Sequence, residues 1–129
     1  MNTRYKIAFA MLAGTGLGAL AIQGLHAQAK APTYVVVAVR SVKDAAAFKA
    51  GVIDKSPATA LAAAGGHYIV RTQKITSLDG HPPERFVLIA FDSAEKAQAW
   101  SDLPATKEVA AARLKTTDSL SFMVEGVAD

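Results

Sequence analysis

The sequence predicts one α+β domain in which four strands alternate with two helical regions. Three observations predict this class. Strand-length apolar runs rich in β-branched residues recur four times along residues 33–125. Apolar residues at helical spacing lie between the first and second runs and between the third and fourth. Glycine, proline and capping residues mark the boundaries of these segments. The 129 residues are enough for one such domain and too few for two ordinary ones. Apolar residues make up 51% of the chain and charged residues 19%, a balance typical of proteins that bury a core.

The chain begins with the three parts of a secretory signal peptide, which we assign to residues 1–29. Arg4 and Lys6 precede an uncharged stretch over residues 7–22, and Ala27-Gln28-Ala29 supplies the small residues that signal peptidase requires. An uncleaved membrane anchor is the alternative, since the stretch approaches the length that spans a bilayer. Its glycines and modest hydrophobicity favour cleavage. Either way the sequence predicts a periplasmic or secreted domain, which contacts a membrane only if this segment stays attached.

The first half of the domain reads as a linker, a strand and a helix. Residues 30–32 form the linker, and residues 33–39 (TYVVVAV) have apolar residues on both faces, as a buried central strand requires. Helical spacing then places Phe48 and Val52 on one face among charged residues. This pattern predicts an amphipathic helix whose N-cap is Ser41.

A second helical turn and a strand pair follow. Ser56-Pro57 predicts the start of the turn, and Gly65-Gly66 predicts its end, because glycine adopts the left-handed conformation at little cost. Residues 67–74 (HYIVRTQK) and 85–91 (RFVLIAF) have strand patterns. The Asp-Gly and Pro-Pro pairs within residues 78–83 predict an ordered, longer loop between the two strands.

The last third of the chain predicts two helices and a closing strand. Asp92 begins a capping-box pattern, and Trp100 lies on the inner face of the helix that follows it. Pro104 starts another helix, which extends to Lys115. Residues 119–125 (SLSFMVE) form the fourth strand.

The predicted order of strand, helix, strand, strand, helix, strand is the split β-α-β arrangement of ferredoxin-like folds. In this fold a four-stranded antiparallel sheet carries both helices on one face. The opposite face, which includes Leu120, Phe122 and Val124, would expose more apolar surface than a soluble monomer usually does. The sequence therefore predicts a homodimer in which two sheet faces pack into a dimeric α/β barrel with two-fold symmetry.

Several segments together resemble the domain of unknown function 1330 family. These are residues 33–37 (TYVVV), 64–71 (AGGHYIVR), 83–89 (PERFVLI), 97–100 (AQAW), Arg113 and residues 124–126 (VEG). The resemblance covers residues 34–127 and implies a dimeric α/β barrel similar to that of cofactor-free monooxygenases, with no settled activity for the family. Ala90 stands where the family usually has a glutamate, and residues 103–106 (LPAT) where it tends to have Ser-Pro-Glu-Tyr. If family chemistry uses those polar groups, this chain lacks it.

Charge and composition exclude several classes of function. Of the 14 basic residues, Arg4 and Lys6 lie in the signal segment, which leaves 12 against 11 acidic residues and gives no reason to expect a nucleic-acid partner. With no cysteine there is no disulfide or thiolate site. The sequence has no nucleophile elbow, metalloprotease motif or phosphate loop. We therefore predict no metal site and no cofactor.

Five side chains are candidates for ligand contact in the barrel cleft: Arg71, His67, Tyr34, Trp100 and Arg85. Strict alternation places Arg71 on the same strand face as His67 and Ile69, where its guanidinium would hold a carboxylate or enolate oxygen. A structural role, pairing with an acid at the dimer interface or covering apolar surface, is the alternative. His67 is a candidate general base, although no carboxylate to orient it is identifiable and a partly exposed position explains it more simply.

The other candidates also allow two interpretations each. Trp100 either stacks on a ligand or fills the core, and Tyr34, like Tyr68, either lines the cleft or covers the core. Arg85 and Arg113 are candidate ion-pair partners for the acids Glu84, Asp102 or Glu125, and Arg113 is also suited to a helix C-terminus.

The resulting functional prediction is an exported homodimer of unassigned activity that binds a small apolar or oxygenated ligand. The alternative is a cofactor-independent monooxygenase or isomerase with Arg71 and His67 in its cleft. A polar cleft around Arg71 would favour the enzyme, and a filled apolar interior would exclude it.

Overall fold

A computed structural model describes residues 31–128, which form a four-stranded antiparallel sheet. The strands are β1 (Thr33–Val42), β2 (Gly66–Thr72), β3 (Arg85–Phe91) and β4 (Thr117–Glu125). Their order across the sheet is β2-β3-β1-β4, and each neighbouring pair is antiparallel. This is the strand order of a ferredoxin-like fold, so the predicted fold class is confirmed.

The helices cover one face of this sheet. They are α1 (Ala45–Phe48), which continues directly into a π-helical segment (Lys49–Ile53), α2 (Ala58–Ala63), α3 (Ala94–Asp102) and α4 (Pro104–Thr116). The boundaries of α4 agree with the prediction to within one residue, because proline at the first helical position is a strong local signal.

The predicted N-caps of two helices are wrong. The side chain of Asp44, not Ser41, accepts a hydrogen bond from the Ala47 N–H at the start of α1. Strand β1 extends to Val42 and the next N–H, that of Lys43, donates to the Thr116 carbonyl, so the chain is still extended where the cap was expected. The N-cap of α3 is Ser93, one residue after the predicted Asp92.

The core lies between the sheet and its helices. Val35, Ile89 and Phe91 from the two central strands pack against Leu61 of α2 and Ala97 of α3. Because side chains alternate along a strand, the same strands direct their intervening residues to the opposite face. The prediction that residues 33–39 form a central strand with apolar side chains on both faces is therefore confirmed.

Strand β2 does not alternate strictly. Tyr68 pairs with Ile89 but Val70 pairs with Leu88, so two residues of β2 oppose one step of β3 at a β-bulge. Beyond the bulge, Arg71 lies on the helix-covered face with Tyr68. The prediction that Arg71 shares a face with His67 is therefore wrong.

Candidate functional site

A cavity of about 360 Å³ lies between the helix-covered sheet face and the helices. Val35 and Ile89 of the sheet form part of its floor, and Leu61 and Trp100 close it from the helices. The Trp100 ring is fixed against Phe91, with ring centroids 5.5 Å apart. This end of the cavity is therefore an apolar chamber with an aromatic wall.

The other end of the cavity is polar, and the sheet register determines where its side chains lie. Arg85 of β3 pairs with Val39 of β1, and Val39 pairs with Ser119 of β4. Paired residues in neighbouring antiparallel strands point to the same face. The Arg85 side chain and the Ser119 hydroxyl thus belong to one row that crosses the helix-covered face.

The next row of the sheet adds a second arginine. Arg71 pairs with Val87, Val87 with Val37, and Val37 with Ser121. The Arg71 guanidinium carbon lies 4.6 Å from the centre of the Tyr68 ring, a cation–π distance. Arg71 is exposed as a whole residue, so it lies at the rim of the cavity.

Arg113 approaches the same polar end from helix α4. Its Nη1 atom donates a hydrogen bond of 2.8 Å to the Ser119 hydroxyl. Partial burial lowers the pKa of the Arg113 guanidinium below its ordinary value, because desolvation disfavours the charged form. The fold therefore holds a cation in a place that water solvates poorly.

Arg85 is the third arginine that lines the cavity. Its guanidinium carbon lies 5.5 Å from the centre of the Phe48 ring, and its Nε atom is buried without a hydrogen-bond partner in the described part of the chain. Buried polar groups normally have a partner, so this unpaired donor, on a residue that lines the cavity, needs an explanation.

The cavity carries an excess of positive charge. Arg71, Arg85, Arg113 and Lys55 line it, whereas no aspartate, glutamate or histidine among residues 31–128 does. Within that range neither of the described ion pairs includes an arginine. The predicted pairing of Arg85 and Arg113 with Glu84, Asp102 or Glu125 is therefore wrong, and no carboxylate among residues 31–128 forms an ion pair with either arginine.

The predicted site residues fall on two sides of the sheet. Arg71, Arg85 and Trp100 line the cavity. His67 and Tyr34 lie on the opposite face, because both pair in register with Ala90. The structure thus does not bring His67 and Arg71 together.

Arg113 lines the same cavity as Arg71, Arg85 and Trp100, but its position in the sequence did not identify it as a ligand contact. The space exists because small residues, among them Ala60, Ala105 and Ala110, stand on the helices where they face the sheet. Arginine late in a helix is common and favourable at the C-terminus, so Arg113 gave no distinguishing signal. A row of small residues facing the arginine-bearing strands was the available signal.

The face of the sheet that the helices leave uncovered is apolar. Its middle row runs from Phe122 through Val36 and Leu88 to Val70, all joined by strand pairing. On the edge strand β4, Phe122 is 48% exposed, and its neighbours on this face, Leu120 and Val124, are 36% and 45% exposed.

Residues 31–128 contain neither a membrane-spanning helix nor a cluster of metal-binding side chains. None of their helices is both long enough and apolar enough to cross a membrane. No three of their His, Asp or Glu side chains come together in a way that would hold a metal ion.

These features define the class of protein as a ferredoxin-like α+β domain with an arginine-lined cavity between its sheet and helices. The chain belongs to the family described as domain of unknown function (DUF1330), whose model matches residues 32–127. The family resemblance predicted from the sequence is thereby confirmed.

Similar solved structures support the fold assignment. A protein of unknown function from Rhodopseudomonas palustris aligns with a TM-score of 0.58 and 16% identity, covering 82% of this chain and 92% of that one. A proposed antibiotic biosynthesis monooxygenase from Caulobacter crescentus aligns with a TM-score of 0.51 and 17% identity, covering 77% and 92%. No curated protein matches the chain. At these identities the likeness concerns the fold alone.

Proposed function

We propose that this protein is an exported homodimer that binds a small, largely apolar, oxygen-bearing molecule in the cavity between its sheet and helices. The cavity itself carries the proposal. Its volume of about 360 Å³ lies in the range of small-molecule sites, which are mostly apolar with a few placed polar groups.

The layout of the cavity supports an elongated, two-ended ligand. Trp100 and Leu61 bound the apolar end, and Arg85 and Arg113 bound the polar end. An apolar body gains from burial at one end, while an oxygen accepts charge-assisted hydrogen bonds at the other.

A cofactor-independent enzyme is the second candidate, and the polar surroundings of Arg71 favour it. Arginines that surround a bound molecule stabilise an enolate, as such chemistry requires. A general base is also required, and among the described residues no carboxylate or imidazole lines the cavity. With His67 on the opposite face, binding accounts for more of the site than catalysis does.

The exported, dimeric state rests on separate observations. The apolar row on the sheet face that the helices leave uncovered supports pairing with a second copy, because its member on the edge strand, Phe122, is 48% exposed and its neighbours on β4, Leu120 and Val124, are exposed too. The signal-like pattern of residues 1–29, which lie outside the described residues, supports export.

Filling the cavity tests the binding proposal. Ala110 faces the cavity from α4, so Ala110→Phe places a ring in the space and should weaken binding of neutral octanamide at least tenfold. Trp100 is the sole tryptophan and borders the cavity, so its fluorescence reports the titration directly.

The matched control is Ala111→Phe, one residue along the same helix at an exposed position outside the cavity lining. This variant should bind octanamide like the wild type. If Ala110→Phe does not fold, Thr106→Phe fills the same cavity from an adjacent turn. Equal octanamide affinity in the folded filling variant and the control would contradict the proposal.

A further inference from the structure

We propose that the ligand of the cavity is an organic anion whose oxyanion, a carboxylate in the simplest case, lies between Arg85 and Arg113. This inference rests on the proposed function and specifies the chemical class of its ligand. The apolar part of the molecule would lie toward Trp100 and Leu61, at the opposite end of the cavity.

The unpaired, buried Nε atom of Arg85 supports an anionic ligand. A buried donor without a partner loses its hydration and gains nothing in return, and for a charged group the loss is larger. The Nε atom of Arg85 is such a donor, and the ring of Phe48 is the one partner described for its guanidinium. A carboxylate that reached this group would accept from Nε and a terminal nitrogen together, the bidentate geometry that arginine favours.

Arg113 also has hydrogen-bond donors that an anionic ligand could use. Its guanidinium has five N–H donors, and one hydrogen bond, to Ser119, is described for it. The bond to Ser119 fixes the direction of the side chain, while the remaining donors are available to a ligand. Ser119 thereby acts as a positioning residue for the Arg113 guanidinium.

The register brings the two guanidinium groups to one end of the cavity. Arg85 and Ser119 stand in the same row with Val39 between them, and neighbouring strands are about 4.8 Å apart. Arg85 and the hydroxyl that holds Arg113 are therefore separated by two strand spacings, or roughly 10 Å at the backbone. The floor between the two arginines is Val39, and none of the described acidic side chains lines the cavity there.

The balance of charge and apolar surface identifies the kind of anion. An inorganic phosphate or sulfate would pair with the arginines but leave the chamber beside Trp100 and Leu61 empty. A neutral apolar molecule would fill the chamber but leave the buried Arg85 donor unpaired. An organic monoanion satisfies both ends.

The test compares octanoate with octanamide, which have nearly the same shape and differ in charge. Full-length wild-type protein should bind octanoate at least tenfold more tightly, as measured by Trp100 fluorescence and calorimetry. Arg85→Met keeps much of the apolar side-chain length without the charge. It should abolish the preference for octanoate, retain octanamide binding, and melt without ligand at the same temperature as the wild type or higher.

Arg40 provides the matched control. It is an exposed arginine near the end of β1 that does not line the cavity, so Arg40→Met changes net charge equally without touching the site. This variant should keep the octanoate preference. If Arg85→Met fails to fold, Arg113→Met tests the same pair of cations.

The outcomes separate this inference from the proposed function. Equal affinities for octanoate and octanamide in the wild type would overturn the anion assignment while leaving a cavity that binds apolar molecules. Loss of the preference in Arg40→Met as well as in Arg85→Met would also overturn it, because general electrostatics would then be responsible. No binding of either probe would overturn both proposals.

Discussion

Two adjacent glycines join α2 to β2, and each is required for a different physical reason. Gly65 has a φ of 88°, in the left-handed region that side chains with a Cβ rarely adopt. Gly66 has no such requirement, but a Cβ there would lie 2.7 Å from atoms of the Phe91 ring and 2.8 Å from Leu61. One glycine therefore allows the turn, and the other lets the core close over the start of the strand.

This difference predicts two distinct costs. Gly66→Ala should lower the free energy of unfolding by about 1–3 kcal/mol, because the added methyl overpacks a core that cannot easily move. Gly65→Ala should cost about 1 kcal/mol, mainly through backbone strain, because the one close contact of an added Cβ is the flexible Lys96 side chain at 3.3 Å. Urea denaturation monitored by Trp100 fluorescence measures both. A Gly66→Ala protein as stable as the wild type would show that Phe91 and Leu61 relax freely.

The sequence predicted that the glycine pair ends a helix, because that signal is local. It did not predict that Gly66 touches Phe91, since the two residues are distant in the chain and meet only through the pairing of β2 with β3. For the same reason, the sequence did not predict that Arg85 and Arg113 line one end of the same cavity. Each is visible as an arginine in the sequence, but their shared environment depends on which row of the sheet each one faces.

At the scale of the element, helix boundaries depend on competition between neighbouring capping residues. Asp92 and Ser93 are both strong N-cap formers, so the local pattern does not decide between them. In the structure the Ser93 hydroxyl accepts from the Lys96 N–H at 3.2 Å, while Asp92 forms an exposed contact of 3.5 Å with the Lys96 ammonium.

The two roles predict unequal effects of substitution. Ser93→Ala should lower the free energy of unfolding by about 1 kcal/mol, because an N–H at the start of α3 loses its acceptor. Asp92→Ala should change it by less than about 0.5 kcal/mol, since exposed ion pairs contribute little. Thermal unfolding of the two variants side by side compares them. A larger loss in Asp92→Ala would mean that the sequence-based cap assignment was right after all.

The bulge in β2 shows where pattern analysis of an element fails. Alternation through residues 67–71 places Arg71 with His67, and one extra residue in the strand reverses that relation. Nothing in the local sequence marks the bulge, because it is set by the register that β3 imposes. Of the candidate site, the residues on β3 and α3 were therefore predictable, while the partners of Arg71 were not.

For the whole molecule, the order of strands and helices follows from periodicity and turn chemistry, and so does the apolar character of both sheet faces. The cavity does not follow in this way. It arises from the distance between α4 and the sheet, which depends on the summed sizes of side chains from several elements. Small residues at positions such as Ala105 and Ala110 become informative only once the helix is known to lie over the arginines.

The uncovered sheet face governs the assembly that we propose. A two-fold interface brings the same patch from each subunit together, so any substitution in it occurs twice. Phe122 lies in the middle row of that face at 48% exposure. Half of its surface thus remains to be buried by a partner, and every other residue in the row is apolar as well.

Replacing Phe122 with lysine should therefore separate the subunits. Phe122→Lys removes apolar contact from both copies and adds a charge that must be desolvated at the interface, so we expect the dissociation constant to rise at least tenfold. Native mass spectrometry of the full-length gene product, recovered from its host, reports the assembly mass and whether residues 1–29 have been removed. Leu78→Lys, at a loop position 94% exposed, is the control and should remain dimeric. A wild-type protein that is monomeric at micromolar concentration would contradict the assembly, whereas a dimer that survives Phe122→Lys unchanged would place its interface elsewhere than on the sheet.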